Sequence, residues 1–213
     1  MNLEPLVRQF QERFDAKSAA RERALVSARR AIRSSANAIR AIHRLDWDTA
    51  HRLMEEARAA VEDGMAAVRD HPDVAFAGFL QDAQKEYVEA RVTEAIVDDG
   101  EVPGPDDLGV QLAPYLNGMA EAVGEARRHT LDLLRRGEVA RSEAMLQAME
   151  EIYSVLVSMD YPDAITGNLR RSTDIARSIM EKTRGDLSLS LVQRDLRDAL
   201  ERHARQFGGE RPE

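Results

Sequence analysis

Cysteine is absent from this sequence of 213 residues. Its absence excludes disulfide frameworks, thiolate zinc sites, iron–sulfur clusters and thiol nucleophiles. Apolar runs are also short, and none reaches the ~18 residues that a membrane-spanning helix requires. The N-terminal segment MNLEPLVRQFQERF is charged from its start and lacks the apolar region of a secretory signal. These absences favour a cytoplasmic protein without a membrane span.

Basic residues are fewer than acidic residues. The chain contains 38 acidic and 30 basic residues, which gives a formal net charge of −8, and aromatic residues make up only 5%. A net negative charge repels polyanions at long range, so nucleic-acid binding would require a local basic patch. The low aromatic content disfavours a surface on which bases stack and favours recognition of a phosphate backbone.

Helix-forming residues dominate the sequence, and runs typical of β-strands are missing. Glycine and proline cut the chain into about seven segments, which predicts an all-α fold with the helices in an antiparallel bundle. A left-handed cap at Gly185 is expected to separate the last two helices. Residues 1–207 would form one helical domain and residues 208–213 a frayed tail. The helices are predicted at about residues 5–45, 48–70, 73–97, 114–136, 138–159, 163–184 and 188–207.

The first predicted helix is long for a protein of this size. Its apolar residues recur at spacings of three and four, which forms one apolar stripe over several turns. At ~1.5 Å per residue, the helix would extend over ~60 Å, more than the core of a compact domain needs. We therefore expect part of this helix to contact another subunit.

Acidic residues form one candidate site across two predicted helices. Glu86 and Glu89 lie three residues apart, and Glu121 and Glu125 lie four apart, so each pair shares one helix face. A single loop joins the two helices, so we expect them to pack antiparallel and, if these faces meet, to bring four carboxylates together. Oxygen ligands of this kind suit Mg²⁺ or Mn²⁺, and an ion held there could activate water against a phosphodiester. The alternative is two solvated acidic faces, which are common in so acidic a chain.

Four arginines form a second candidate site on the first predicted helix. Arg29, Arg33, Arg40 and Arg44 follow one another at intervals of four, seven and four residues, and we call them the arginine ridge. Guanidinium groups bind phosphate through paired hydrogen bonds, so the ridge could guide a nucleic-acid strand. Alternatively, it is a solvated face whose charges pair with nearby acids. The five histidines show no metal-ligand spacing; His43 could face a phosphate but is more typical of a surface or cap residue.

Three segments of the sequence resemble the translin superfamily. They are KEYVEA at residues 85–90, PYLNGMAEAVGEARR at 114–128 and NLRRSTDIARSIMEKTRGDL at 168–187, in the order and spacing of the family. The likeness is greatest to translin-associated factor X, the catalytic branch, and to the archaeal single-gene homologues. The N-terminal third is similar only in character, as a long basic helix.

The resemblance implies a fold, an assembly and an activity. The family folds as α-helical subunits that assemble into hollow, usually eight-membered barrels. Translin binds single-stranded RNA and DNA, and factor X is a Mg²⁺-dependent ribonuclease. The family's catalytic acids correspond here to Glu86, Glu89 and Glu121, which would hold the metal ion. Glu125 lies beside them and would complete or orient the shell.

Two departures distinguish this chain from the pattern of the family. The catalytic branch carries Asp where Glu121 stands, so the reach of this carboxylate differs by one methylene. The His- and Arg-rich nucleic-acid segment of translin proper is absent, which makes the chain more similar to the catalytic subunit than to the pure binder. If the protein works alone, one type of subunit supplies both the barrel and the active site.

The sequence thus leaves three functional hypotheses. The first is a Mg²⁺-dependent endoribonuclease that binds and cleaves single-stranded RNA as a homo-oligomer. The second is a non-catalytic protein of the translin type that binds single-stranded RNA or DNA. The third is a helical scaffold or regulator without a nucleic-acid role. The endoribonuclease hypothesis requires the carboxylates of Glu86, Glu89 and Glu121 to lie within about 8 Å of one another, because Mg–O bonds are only ~2.1 Å long.

Overall fold

The computed structural model describes residues 2–207, and all regular secondary structure within this range is helical, which confirms the all-α prediction. Six long helices form the body of the fold, and three single-turn helices lie in the connections. The predicted tail at residues 208–213 lies outside the described residues. The long helices are α1 (Glu4–His43), α2 (Trp47–Ala67), α4 (Gly78–Val97), α6 (Leu112–Arg135), α7 (Val139–Val157) and α9 (Leu169–Phe207); the single-turn helices are α3 (Pro72–Ala75), α5 (Pro105–Leu108) and α8 (Asp163–Thr166).

Helix α9 runs without a break through Gly185, so the predicted helix end at this residue is wrong. A left-handed cap requires a positive φ, and Gly185 is not among the described glycines that have one. The break falls earlier, at Gly167 and Asn168, whose φ angles are 63° and 66°. The predicted sixth and seventh helices therefore become the short α8 and one helix of 39 residues.

Two other segments also differ from the prediction. The helix predicted over residues 73–97 is divided at Ala77, which is extended with ψ of 139° and separates α3 from α4. The loop predicted at residues 98–109 contains α5, which ends at Gly109 with φ of 64°. Pro72 and Pro105 each begin a single-turn helix, because a proline in the first turn gives up no intrahelical hydrogen bond.

Helices α4 and α6 run in the same direction, so the antiparallel packing predicted for them is wrong. Gln81 bonds to Gln111 near the start of both helices, and Lys85 bonds to Glu121 farther along both. The prediction rested on the single loop that joins them. The connection at residues 98–111 is instead long enough to return along the side of α4 to its beginning.

Helix α9 continues this parallel arrangement, whereas α2 and α7 form hairpins. Asn117 bonds to Ser172, and Arg127, farther along α6, bonds to Thr183, so α6 and α9 also run in the same direction. Short connections join α1 to α2 and α6 to α7, which is typical of antiparallel helix hairpins. The bundle thus mixes parallel and antiparallel pairs.

Small side chains allow the helices to pack closely. Alanines line much of the main core, while larger residues such as Tyr87, Leu133 and Met149 fill its centre. The closest approach is at Gly118, where an added Cβ would lie 2.6 Å from the carbonyl oxygen of Lys85 and 2.7 Å from Cβ of Val88. Helices α4 and α6 therefore meet almost backbone to backbone, beside the acidic residues that they carry.

The two longest helices extend beyond the core. Residues 4–16 of α1 and 192–206 of α9 are exposed along their whole length. Their apolar side chains include Phe10, Phe14, Leu196 and Leu200, all more than half exposed. None of the helices in residues 2–207 combines the length and the hydropathy of a membrane-spanning segment.

Candidate metal and nucleic-acid site

The carboxylates of Glu86, Glu89 and Glu121 lie together between α4 and α6. One oxygen from each lies within 4.8 Å of the other two. This is inside the limit of about 8 Å that the endoribonuclease hypothesis sets for these carboxylates. All three side chains are partly buried. The structure thus brings three of the four predicted acids into one group, which we call the acidic triad.

Local packing explains why these side chains meet. Tyr87 and Val88, which lie between the two glutamates in the sequence of α4, are both buried in the core. Glu86 and Glu89 are nearly one helical turn apart, so both lie on the same face of α4, toward α6. Gly118 lies one turn before Glu121, where its missing side chain lets α6 approach α4. Because the two helices run in parallel and are aligned at Gly118, Glu121 lies at the same height along the bundle as Glu86 and Glu89.

Lys85 is a cation within this acidic group. Its Nζ donates a hydrogen bond of 2.7 Å to Oε1 of Glu121, and 24% of its side chain is exposed. Burial opposes the charge on Lys85, but the hydrogen bond and the charge of Glu121 outweigh it and raise the pKa of the ammonium. The site therefore carries three carboxyl groups and one ammonium.

Negative charge is incompletely compensated in the acidic triad. Burial, followed by the charges of Glu121, Glu86 and Glu125, raises the pKa of Glu89 to about 8, against the opposing charge of Lys85. Burial also raises the pKa of Glu86. Without a further cation, Glu89 therefore holds a proton near neutral pH.

Glu125 lies one turn beyond Glu121 but has a different partner. Its carboxylate bonds to Nε2 of His43, the last residue of α1, and the Arg128 guanidinium lies 3.8 Å from it. The hydrogen bond with His43 holds the pKa of Glu125 below its usual value, although burial opposes this. Glu125 is thus a carboxylate under conditions in which Glu89 is protonated.

A second imidazole lies behind His43. The rings of His43 and His129 are 6.4 Å apart between centroids, and both side chains are almost fully buried. His43 Nδ1 and His129 Nε2 are buried without a hydrogen-bond partner in the part of the chain that the structure describes. Burial lowers the pKa of His129. His129 is therefore a neutral ring that supports His43 from the core side.

The arginine ridge lies on the exposed face of α1, and all four of its side chains are exposed. Arg40 donates a hydrogen bond of 2.6 Å to Asn37, whereas the side chains of the other three have no hydrogen-bond or ion-pair partner within residues 2–207. The neighbouring Arg30 instead pairs with Asp63 of α2 at 2.6 Å. At ~100° per residue, the ridge lies roughly 40–100° around the helix from His43. The end of the ridge at Arg40 and Arg44 therefore lies on the same part of α1 as His43, which contacts Glu125.

The acidic triad fits a hard divalent cation. It offers only carboxylate oxygens, which are the ligands that Mg²⁺ and Mn²⁺ prefer. The raised pKa of Glu89 also fits a cation site, because a bound cation would favour the ionised form of this carboxyl group. Glu86, Glu89 and Glu121 are therefore the residues that could hold such an ion.

Two residues of this site are not predicted by the sequence. The sequence indicates only a surface, cap or phosphate-facing role for His43, which lies 82 residues from its partner Glu125. Lys85 is part of the KEYVEA motif in the sequence, but its contact with Glu121 forms only across the helix interface. No spacing rule within one helix could have identified either contact.

Comparison with known sequences identifies a relative of this chain. No family model matches the sequence. The chain is 32% identical over 188 residues to the uncharacterised protein MJ0175 of Methanocaldococcus jannaschii, and the match covers 87% of this chain and 83% of that protein.

Solved structures that are similar over most of this chain identify its fold. The structure of AfC3PO in complex with duplex RNA matches with a TM-score of 0.82 and 33% identity, over 88% of this chain and 97% of that one. A crystal structure of AfC3PO matches with a TM-score of 0.81 and 33% identity, over 88% of this chain and 98% of that one. Apo-NeC3PO matches with a TM-score of 0.76 at 22% identity, over 89% and 97%, which supports the fold alone. These matches establish that the chain belongs to the translin superfamily, together with the C3PO proteins.

Proposed function

We propose that the protein is an endoribonuclease that depends on Mg²⁺ or Mn²⁺ and cleaves single-stranded RNA. The observation that carries this proposal is the convergence of Glu86, Glu89 and Glu121, whose oxygens lie within 4.8 Å of one another across two helices. Repulsion between like charges opposes such a convergence unless a cation or a proton offsets it. Glu89 in particular is kept partly buried at an electrostatic cost, which is typical of functional sites.

Each acid has a distinct part in this proposal. Glu86, Glu89 and Glu121 would hold the divalent cation, which when bound supplies activation of water and stabilisation of charge on the phosphodiester. Glu125 is kept ionised by His43 and is therefore suited to orient the water through a hydrogen bond. The different pKa directions of Glu89 and Glu125 support this division of roles.

The arginine ridge would bind the RNA backbone. All four of its side chains are exposed, and three of them have no partner in the described part of the chain, so these guanidinium groups are available to phosphates. The existence of an AfC3PO complex with duplex RNA supports RNA as the polymer. Single-stranded RNA remains our proposed substrate, with single-stranded DNA as a further ligand.

We also propose that the protein works as a homo-oligomer, with eight subunits as the resemblance implies. The exposed apolar residues on the free segments of α1 and α9, including Phe14 and Leu196, support association between copies. The mass of the particle in solution, measured by light scattering, tests this proposal. A monomer at micromolar concentration would contradict it.

The second candidate function is RNA or DNA binding without cleavage. The ion pair between Lys85 and Glu121 favours it, because this pair already neutralises one of the three proposed ligands. The two candidates differ in their requirement for a divalent cation. Binding through the arginine ridge needs none, whereas cleavage does.

A cleavage assay distinguishes these functions. Labelled single-stranded RNA is incubated with the wild-type protein in Mg²⁺ or in EDTA, and with Glu89→Ala. Glu143→Ala is the matched control, because Glu143 is an exposed glutamate of α7 without a partner in residues 2–207. We expect cleavage only in Mg²⁺, lost in Glu89→Ala and retained in the control. Equal cleavage by wild type and Glu89→Ala would overturn the enzyme proposal, and duplex RNA and single-stranded DNA run in parallel define the substrate.

A further inference from the structure

A small cavity opens beside the acidic triad and shares Glu121 with it. The cavity has a volume of about 240 Å³ and lies between the first halves of α4 and α6 and the beginning of α9. Sites that take a whole drug-sized ligand usually measure ~300–1,000 Å³. This cavity is smaller, so it fits one part of a ligand, such as a single base of a nucleic acid whose phosphate lies at the triad.

One wall of the cavity is held in place by its own hydrogen bonds. Ser172 Oγ donates to Asn117 Oδ1 at 2.7 Å, and Asn117 Nδ2 donates at 2.8 Å to the carbonyl oxygen of Thr166. The same amide group donates at 2.9 Å to the carbonyl oxygen of Ala113. Neither Asn117 nor Ser172 therefore has a side-chain proton left to donate to a ligand.

The polar groups that remain available to a ligand include Asp82 and Lys85 of α4, which both line the cavity. They lie three residues apart, so they share one helix face with their Cβ atoms roughly 5–6 Å apart. Asp82 is exposed and has no hydrogen-bond or ion-pair partner among residues 2–207. Lys85 donates one of its three protons to Glu121 at 2.7 Å, which leaves two. Together they present two carboxylate acceptors beside an ammonium donor.

Among the four RNA bases, guanine has the complementary pattern. Its Watson–Crick edge carries two adjacent donors, the N1–H and the N2 amino group, followed by the O6 acceptor. On the same edge, adenine, cytosine and uracil each place an acceptor next to every donor. A carboxylate therefore accepts two parallel hydrogen bonds from guanine alone, and an ammonium beside it can donate to O6.

We propose that this cavity is a guanine-binding subsite, in which Asp82 accepts hydrogen bonds from N1–H and N2–H of the base and Lys85 donates to O6. This inference rests on the proposed function, because its ligand is the RNA whose phosphate lies at the triad. It goes beyond that function because it assigns a base preference and names Asp82 as the residue that determines it.

The charge and composition of the chain agree with this subsite. A base is neutral and offers N–H groups, so a carboxylate that would repel a phosphate can bind it. Recognition through the edge of a base also needs no aromatic side chain, and aromatic residues make up only 5% of the sequence. The phosphates of the RNA are left to the arginine ridge, which carries no acid.

Binding in EDTA measures the preference without cleavage. Fluorescence anisotropy gives the affinity for labelled oligouridylates that contain one central guanosine, adenosine, inosine or 7-deazaguanosine. Inosine lacks the N2 amino group, whereas 7-deazaguanosine keeps the whole Watson–Crick edge. We expect the guanosine and 7-deazaguanosine probes to bind roughly tenfold more tightly than the adenosine probe, with inosine between them, as one bidentate contact to a base provides. Equal affinities for the four probes would overturn the inference.

The Asp82→Asn variant tests the assignment to this residue, because it replaces one acceptor by a donor at nearly the same shape. We expect the ratio of guanosine to adenosine affinity to fall below twofold. Asp48→Asn is the matched control, since Asp48 is an exposed aspartate of α2 without a partner in residues 2–207, and it should keep the full ratio. A ratio that survives in Asp82→Asn contradicts the assignment. Circular dichroism establishes that each variant is folded.

The outcomes separate this inference from the proposed function. A wild-type protein that cleaves RNA in Mg²⁺ and binds all four probes equally contradicts the inference and leaves the proposed function standing. A protein that prefers guanosine through Asp82 but does not cleave contradicts the enzyme proposal and supports the subsite. A protein that binds none of the probes contradicts both.

Discussion

His43, the last residue of α1, bonds through its Nε2 to the carboxylate of Glu125 on α6, and only 4% of its side chain is exposed. This contact joins the helix that carries the arginine ridge to the helix that carries Glu121. It also keeps Glu125 ionised by lowering the pKa of its carboxyl group. In the adjacent acidic triad, Glu89 instead holds a proton near neutral pH. The proposed RNA-binding helix therefore ends inside the proposed catalytic site.

We expect His43→Leu to lower the cleavage rate about 10–100-fold, which is the usual effect of losing a partner that orients a functional carboxylate. The substitution leaves Glu125 without its hydrogen bond, so the pKa of Glu125 rises. The free energy of unfolding should fall by ~1–3 kcal/mol because a partly buried acceptor loses its donor.

His43→Gln is the control for this variant, since its amide can still donate to Glu125 and should restore part of the rate. Initial rates and urea unfolding measure the two effects separately. If both variants cleave at the wild-type rate, the contact has no role in positioning Glu125.

The raised pKa of Glu89 predicts how stability depends on pH. The folded state binds this proton more tightly than the unfolded state, whose pKa is near the ordinary 4.5. The stabilisation is therefore complete below about pH 4.5 and is lost as pH rises toward about 8. Glu89→Gln should remove this loss and be more stable than wild type by a few kcal/mol above pH 8, at about 1.36 kcal/mol per pKa unit.

Urea unfolding between pH 5 and pH 9 in EDTA tests this expectation, with Glu143→Gln as the matched control. A wild-type profile that is no steeper than that of Glu89→Gln would contradict it. In the absence of EDTA, Mg²⁺ should stabilise wild type more at high pH, because the cation competes with the proton on Glu89.

Gly118→Ala should force α4 and α6 apart. The new Cβ would meet the carbonyl oxygen of Lys85 and the side chain of Val88 at less than 3 Å, and neither can move without a shift of the helix. We expect a loss of ~1–3 kcal/mol in the free energy of unfolding and weaker binding of Mn²⁺, because Glu121 moves away from the pair on α4.

Gly124→Ala provides the control on the same helix. Its nearest neighbour would be a side-chain carbon of Ile179 at 3.9 Å, an ordinary contact, so alanine should stabilise α6 by ~0.5–1 kcal/mol. Urea unfolding and Mn²⁺ titration measure both variants. Equal stability of the two would show that the close approach at Gly118 is unimportant.

The arginine ridge predicts a specific change in salt dependence. Each phosphate contact to a single strand contributes about 0.7 to the slope of log affinity against log salt concentration. The double substitution of Arg29 and Arg33 by alanine should therefore reduce the slope by roughly 1.4. Arg30→Ala should leave it unchanged, because Arg30 already pairs with Asp63. Anisotropy titrations between 50 and 200 mM salt measure the slopes, and an unchanged slope in the double variant would exclude the ridge from binding.

The helices were largely predictable from the sequence because their signals are local. The spacing of apolar residues and the positions of proline and glycine predicted all six long helices, apart from the division at Gly185 and the extra breaks at Ala77 and Gly167. Glycine permits a helix end but does not require one. In α9 the sequence around Gly185 continues the helix, and the added Cβ there would meet nothing within 4 Å.

The site was predictable only in part. The spacing of Glu86 and Glu89 on one face, and of Glu121 and Glu125 on another, is a local property of each helix. That the first three converge while Glu125 turns to His43 depends on how the helices are aligned. The prediction assumed antiparallel packing of α4 and α6, and the acids meet although the two helices are parallel.

The sequence by itself determined the helical class, the acidic and basic faces of individual helices and the likeness to the translin superfamily, because all of these depend on neighbours along the chain. Only the tertiary structure decided that the acids form a triad with Lys85 inside it, that His43 holds Glu125 and that α4 and α6 run in parallel. These features depend on close packing at Gly118 and on a long returning connection, and such contacts between distant segments leave no periodic signal in the sequence.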